Sequence, residues 1–209
     1  MSRIFEYRGV EGLVFAKILK DTLEEFETGP VKELAGVSRI SRTTETSSEV
    51  HYYDNKPAVV VSSTGGDEVS MDASAIPLDT LAEITGQYYD ETTGMLVEGE
   101  NEDCYFAIGY ITDSTDGSKV YVWRYKGRFE IPSSEHVTKD DGTDANGQEL
   151  VYKGISTIHK FTKTGKSAKA INIDASKDLV DLSTFFAKVT TPDDVKQKNK
   201  AMPNSVNVK

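Results

Sequence analysis

The chain has 209 residues, of which 37% are hydrophobic, one cysteine, one tryptophan and a formal net charge of −10. That length buries a full core without staples and fits one domain, or one domain with a tail. The lone Cys104 excludes an internal disulfide framework and suits a reducing compartment. It lies in CYFAIGYI, where it reads as a small buried hydrophobe. No apolar run approaches the roughly 20 residues of a membrane helix. The first residues, MSRIFEYRGVEG, lack the apolar core of a signal peptide. The expectation is a soluble protein made in the cytoplasm.

Charge is unevenly spread. From His159 to Lys209 there are 10 lysines and 5 aspartates, so that segment carries +5 and the other 158 residues −15. An acidic body repels nucleic acid rather than gripping it.

In chain order, GLVFAKILKD (12–21) and ELAGVSRISR (33–42) read as strands. SRTTETSSE (41–49) carries no large apolar residue and reads as a polar loop. VHYYD (50–54), AVVVSS (58–63) and EVSMDAS (68–74) are rich in β-formers, and Val69, Met71 and Ala73 alternate in the last. A short helix is predicted at 78–85, with Leu78, Leu81 and Ala82 at i, i+3, i+4 spacing. Pro77 suits its start and Gly86 the position just past its end. Helices this short are marginal in water, so Leu78, Leu81 and Ala82 are expected to dock on a sheet.

CYFAIGYIT (104–112) and KVYVWRYKGRFEI (119–131) read as a hairpin around the turn pair Asp116-Gly117. Strict alternation in the second strand puts Tyr121, Trp123, Tyr125, Gly127, Phe129 and Ile131 on one face, toward a core. It puts Val122, Arg124, Lys126 and Arg128 on the other, toward water or a neighbour. A second long polar loop follows at 133–148, then strands at 150–162 and 169–174. A second helix is predicted over Ser176–Val189, with Leu179, Leu182, Phe186 and Val189 as its stripe before Pro192. Residues 191–209 have the composition of a flexible or extended tail. The expected class is mainly β: a sandwich or barrel of two packed sheets with a short flanking helix, spanning 1–190, followed by a tail over 191–209.

Motifs for chemistry fail on inspection. KTGKS (163–167) needs a glycine at Lys160 to cradle a phosphate, so it reads as a basic turn. DGTDANGQE (141–149) offers Asp144, Asn146 and Gly147 to a calcium loop. The same register puts Gly142 and Lys153 where ligands are required. His51, His136 and His159 lack metal-ligand spacing, and neither GxSxG nor GxGxxG occurs. The expectation is no enzyme, no cofactor and no metal, and a protein that works through surfaces. The tyrosine-rich strands leave one alternative, a β-sandwich binding module recognising a glycan or a host protein.

The order of these features carries a resemblance. DNKPAVVVSSTGGDEVSMDASAIPLDTLAEITG (54–86) resembles the signature stretch of the major tail proteins of long-tailed, non-contractile bacteriophages. CYFAIGYITDSTDGSKVYVWRYKGRF (104–129) is similar to that family's hairpin, and LSTFFAKVTTPDD (182–194) to its aromatic C-terminal helix. The likeness spans residues 8–192. It implies a tail-tube β-sandwich flanked by a short helix, a subunit of homohexameric rings that stack into the tube through which DNA is ejected. It also implies contacts with tape-measure, tail-tip and terminator proteins, residence in the virion tail, synthesis in the host bacterial cytoplasm, and no membrane partner.

Within that frame, a DNA conduit needs an acidic wall, because basic side chains would hold phosphates by counterion release. Asp67, Glu68 and Asp72 are expected to face the lumen. The stretch Ser41, Arg42, Thr43, Thr44, Glu45, Thr46, Ser47, Ser48, Glu49 is expected to form the ring-stacking loop. The basic segment from His159 onward is expected to dock on a neighbour's acidic body.

Overall fold

A computed structural model describes residues 4–136, 138 and 146–198. It is mainly β and sandwich-like, with one short α-helix among the described residues. The strands are β1 (Tyr7–Asp21), β2 (Phe26–Thr28), β3 (Lys32–Glu33), β4 (Val37–Tyr53) and β5 (Lys56–Ala73). After the helix α1 (Leu78–Thr85) come β6 (Tyr88–Asp90), β7 (Met95–Val97), β8 (Phe106–Ser114), β9 (Lys119–Phe129), β10 (Gln148–Ile155) and β11 (Ala170–Asp174). The main sheet runs β2-β1-β8-β9-β10-β5-β4, with β3 added beside β1 and β11 beside β9. β6 and β7 form a separate hairpin.

That long sheet curls onto itself, because residues from its two ends share one core. Phe15 of β1 and Ile108 of β8 pack in the same cluster as Val69 and Met71 of β5 and Leu150 of β10. A second cluster lies on the opposite face of β1, β8 and β9, where Val14, Ala16, Ala107, Trp123 and Tyr125 meet Phe161, Phe185 and Val189 from the C-terminal segment. The central strands are therefore covered on both sides, and Phe106–Tyr110 and Val122–Gly127 are buried without a break.

The alternation expected along β9 does not hold. Phe106 pairs with Gly127 but Ile108 with Arg124, so β9 carries an extra residue there. Such a bulge inverts which face later residues occupy. Trp123 and Tyr125 lie in the second cluster, whereas Phe129 lies in the first. Arg124 and Lys126, expected at the surface, are 6% and 7% exposed, and Ile131, expected inside, is 63% exposed.

The C-terminal segment folds back on its own chain. Trp123 donates its indole N–H to the Phe185 carbonyl at 3.0 Å, and Tyr125 its hydroxyl to the Thr190 carbonyl at 3.1 Å. These satisfy two polar groups that burial would otherwise strand. The helix predicted over Ser176–Val189 is instead a 3-10 turn at Ala175–Lys177 followed by further turns. Phe185 and Phe186 stack against Tyr121 and Trp123, so aromatic packing rather than helical hydrogen bonding holds this stretch. The strand expected at 150–162 ends at Ile155. Beyond it, KTGKS forms a tight turn closed by the Phe161–Lys166 bridge, with Gly165 at φ 65°.

The part of the expected tail that is described is tied down. Val180 bridges Gln197, and Asp193 accepts backbone N–H bonds from Thr162 and Lys163. Half of the loop at 133–148, with Gly142 and Asp144 of the rejected calcium pattern, lies outside the described residues, as do 199–209.

The helix α1 docks, but not as its spacing suggested. Ala82, Ile84 and Thr85 are buried and Leu81 packs at the edge of the first core, while Leu78 is 50% exposed. One face of two turns holds only three or four side chains, and Ile76 and Ile84 fill the inward direction that Leu78 would have to share. Gly86 ends the helix in the left-handed region at φ 69°.

Candidate assembly arm and its buried root

The segment predicted as a polar loop at 41–49 is strand. β4 has 17 residues and β5 has 18, and they pair from Val37–Ala73 out to Tyr53–Lys56. Threonine and valine sustain the ladder as β-formers, and the serine and threonine hydroxyls leave the ribbon polar. At the tip, Asp54 and Asn55 sit at φ 50° and φ 62°. Two consecutive left-handed residues make the turn that matches strand twist in a two-residue hairpin.

Only the inner part of this hairpin belongs to the body. Residues 67–73 of β5 pair with β10 as well as β4, whereas among the described residues 56–64 pair with β4 alone. The outer part is thus a free two-stranded ribbon, about nine residues or ~30 Å long. Every residue from Glu45 to Gly65 is exposed. Val50 and Val60 face each other across one side, and the parity of the ladder puts Val59 and Val61 on the other. These valines are 42–64% exposed, and Tyr52 and Tyr53 near the tip are 66% and 64% exposed.

At the root, the register shifts between Thr44 and Thr46, with Gly65 and Gly66 opposite Glu45. A Cβ on Gly65 would stand 2.8 Å from the Glu45 carboxylate, and one on Gly66 would stand 3.1 Å from the Gly154 carbonyl. A side chain at either position would crowd this bulge, which lies just where β10 stops pairing.

Beside the bulge lies Asp67, 5% exposed and therefore not a wall residue. Its carboxylate accepts from Arg124 at 2.6 Å and from the Thr44 hydroxyl at 2.9 Å, with Lys169 at 3.4 Å. Lys169 also donates to the Gly65 carbonyl. Burial pushes the Asp67 carboxyl up, but Thr44, Arg124 and Lys169 outweigh it and hold the group below the ordinary carboxylate value. The polar root is thus locked to β9 and to the start of β11. Parity along β5 was the available signal: 67, 69, 71 and 73 share a face, and three of them are apolar core.

Glu68 and Asp72 do lie on the opposite, outer face of β5. Glu68 pairs in register with Lys153 and is ion-paired to it, and Asp72 pairs with Glu149 and lies 3.9 Å from Arg39. Glu130 reaches the same Lys153 at 3.8 Å. Four carboxylates and two cations leave this patch negative.

Among the described residues, no helix is long and apolar enough to cross a membrane. No protein-family model matches the chain, and no curated protein matches it. What the structure defines is a β-sandwich with a long projecting hairpin.

Proposed function

We propose that this protein is a tail-tube subunit of a non-contractile bacteriophage: a structural virion protein whose copies join into hexameric rings, stacked as a conduit for DNA ejection. One observation carries the reading. A ~30 Å ribbon with apolar side chains on both faces, rooted by a buried ion pair, has no partner among the described residues of its own chain. Isolated two-stranded ribbons are marginal in water, and open strand edges invite pairing. A second copy that lies along the arm turns both liabilities into a joint. The sequence resemblance over residues 8–192 supports the same conclusion.

In this scheme β4 and β5 beyond Glu45 replace the loop 41–49 as the stacking element. The negative outer face at Glu68 and Asp72 supplies the wall past which DNA slides without sticking. The subunit catalyses nothing and holds no cofactor or metal. Its partners are copies of itself and the tape-measure, tip and terminator proteins, met after synthesis in the host cytoplasm.

Negative-stain microscopy and size exclusion of the purified chain across a concentration series test this. Rings or tubes with a central hole are the expected outcome. A monomer that persists with the tip and tape-measure partners present refutes it, and saturable glycan binding by that monomer favours the binding-module alternative.

A further inference from the structure

An open cavity of about 800 Å³ lies between β1, β4, β8, β9 and β11, near the root of the arm. Five cationic side chains line it, Arg8, Arg39, Arg42, Arg124 and Lys169, against one carboxylate, Asp67. Arg124 and Lys169 are engaged by Asp67 in the floor. The rim arginines are at most weakly neutralised. Among the described residues Arg8 and Arg42 make no ion pair, and Arg39 approaches Asp72 only at 3.9 Å. A chain of net charge −10 has thus gathered unspent positive charge at one mouth, beside apolar Val10, Ile40 and Val120.

The complementary feature lies at the other end of β8. The stretch VEGENED (97–103) exposes Glu98, Glu100 and Glu102, and none of these makes an ion pair among the described residues. It follows the exposed Met95 and Val97 of β7. Its far end is pinned by the Arg128–Asp103 ion pair and by the Glu102 N–H donating to the Gly86 carbonyl at 3.0 Å. The stretch leads into β8 at Phe106, which stands beside Lys17 of β1, whereas the cavity sits toward Ser114, which pairs with Tyr7. Phe106 and Thr112 are six residues apart, about 20 Å along the strand. The two surfaces are therefore separate patches of the subunit.

We propose that the acidic stretch 98–102 of one copy seats in the arginine-rimmed cavity of a second copy. This rests on the self-assembly reading and supplies a contact separate from the arm. Three carboxylates without ion pairs meet three arginines of which only Arg39 has a carboxylate within 4 Å among the described residues, with apolar residues beside each set. Because donor and acceptor surfaces differ, the contact is head-to-tail, the kind that closes a ring or extends a filament. It also relieves the mutual repulsion of strongly acidic subunits, so assembly weakens as salt rises.

A charge-swap experiment tests it. One variant carries Arg8→Glu, Arg39→Glu and Arg42→Glu, and the other Glu98→Arg, Glu100→Arg and Glu102→Arg. All six side chains are exposed, and circular dichroism checks that both variants fold. Each variant alone is expected to need at least about ten-fold more protein to assemble, measured by sedimentation at low salt. An equimolar mixture is expected to assemble again, because each acidic stretch then finds a basic cavity and the reverse. A neutral variant, Glu98→Gln with Glu100→Gln and Glu102→Gln, should also assemble poorly and lose the salt dependence. Normal assembly of either reversed variant alone overturns the proposal while the tube reading stands. So does failure of the mixture to recover. If the wild-type chain never assembles, the tube reading fails and takes this contact with it.

Discussion

Asp67 and Arg124 stand 57 residues apart in sequence and 2.6 Å apart in the fold, with side chains 5% and 7% exposed. One belongs to the strand that becomes the arm, the other to a largely buried central strand of the sheet. Their pairing fixes where the rigid body ends and the projecting ribbon begins. Breaking a buried pair strands a charge, which costs about 3–5 kcal/mol. Asp67→Ala is therefore expected to lower stability by that order in urea unfolding. Replacing both partners by apolar residues, as Asp67→Leu with Arg124→Met, should cost clearly less.

The same pair sets an acid limit. The Asp67 carboxyl titrates below its unfolded value, so its stabilisation is fully present above about pH 4. It is lost as pH falls through the lower folded value. Urea midpoints across pH 2–6 should show a decline that is blunted in Asp67→Asn. An equal decline in both chains would assign acid lability elsewhere.

Replacing residues 47–63 by Asn-Gly should leave a folded monomer, since no residue of that span lies in either core. Its thermal midpoint is expected to move by only a few degrees, while tubes disappear from micrographs. Tubes of normal length would remove the arm from assembly.

Gly65→Val tests the bend rather than the ribbon. The added carbon meets the flexible end of Glu45, so the body should fold with a loss of about 1–3 kcal/mol. Assembly should suffer much more than stability, because the arm leaves the sheet at another angle. Pairing this variant with Glu45→Ala removes the carboxylate contact, leaving only the 3.0 Å approach of the residue-45 Cβ, and should recover part of the assembly.

On the outer face, Glu68→Lys with Asp72→Lys reverses the charge of the proposed wall without touching either core. Tubes are expected to form and DNA release from whole particles to slow. Unchanged release would place the wall on another surface.

Truncation of the aromatic seal should be costly. Phe185 is 3% exposed and its carbonyl accepts the Trp123 indole N–H. Phe185→Ala is expected to lose about 3–5 kcal/mol by chemical denaturation, consistent with a stretch around Phe185 that is part of the fold.

Much of this was legible in the residues themselves. Runs of β-branched and aromatic residues set most strand positions, Asp116-Gly117 set a hairpin, and Pro77 and Gly86 bracketed the helix, because these depend on local backbone preferences. The polar stretch 41–49 reads as loop because nothing in it needs burial, and only its pairing with β5 shows it to be strand. Parity along β5 already set Asp67 apart from Glu68 and Asp72.

Only the tertiary structure decided the rest. A single extra residue in β9 moved Phe129 from one core to the other, and no local pattern reveals a bulge that is fixed by pairing across strands. Burial of Arg124 required Asp67 to arrive from a distant strand, since a lone arginine there would belong at the surface. The aromatic stripe at 179–189 favoured a helix until Trp123 and Tyr121 supplied a surface for it to pack on as turns. Local preference sets which residues extend and where they turn; contacts between distant segments decide which face is buried and which charges are paired.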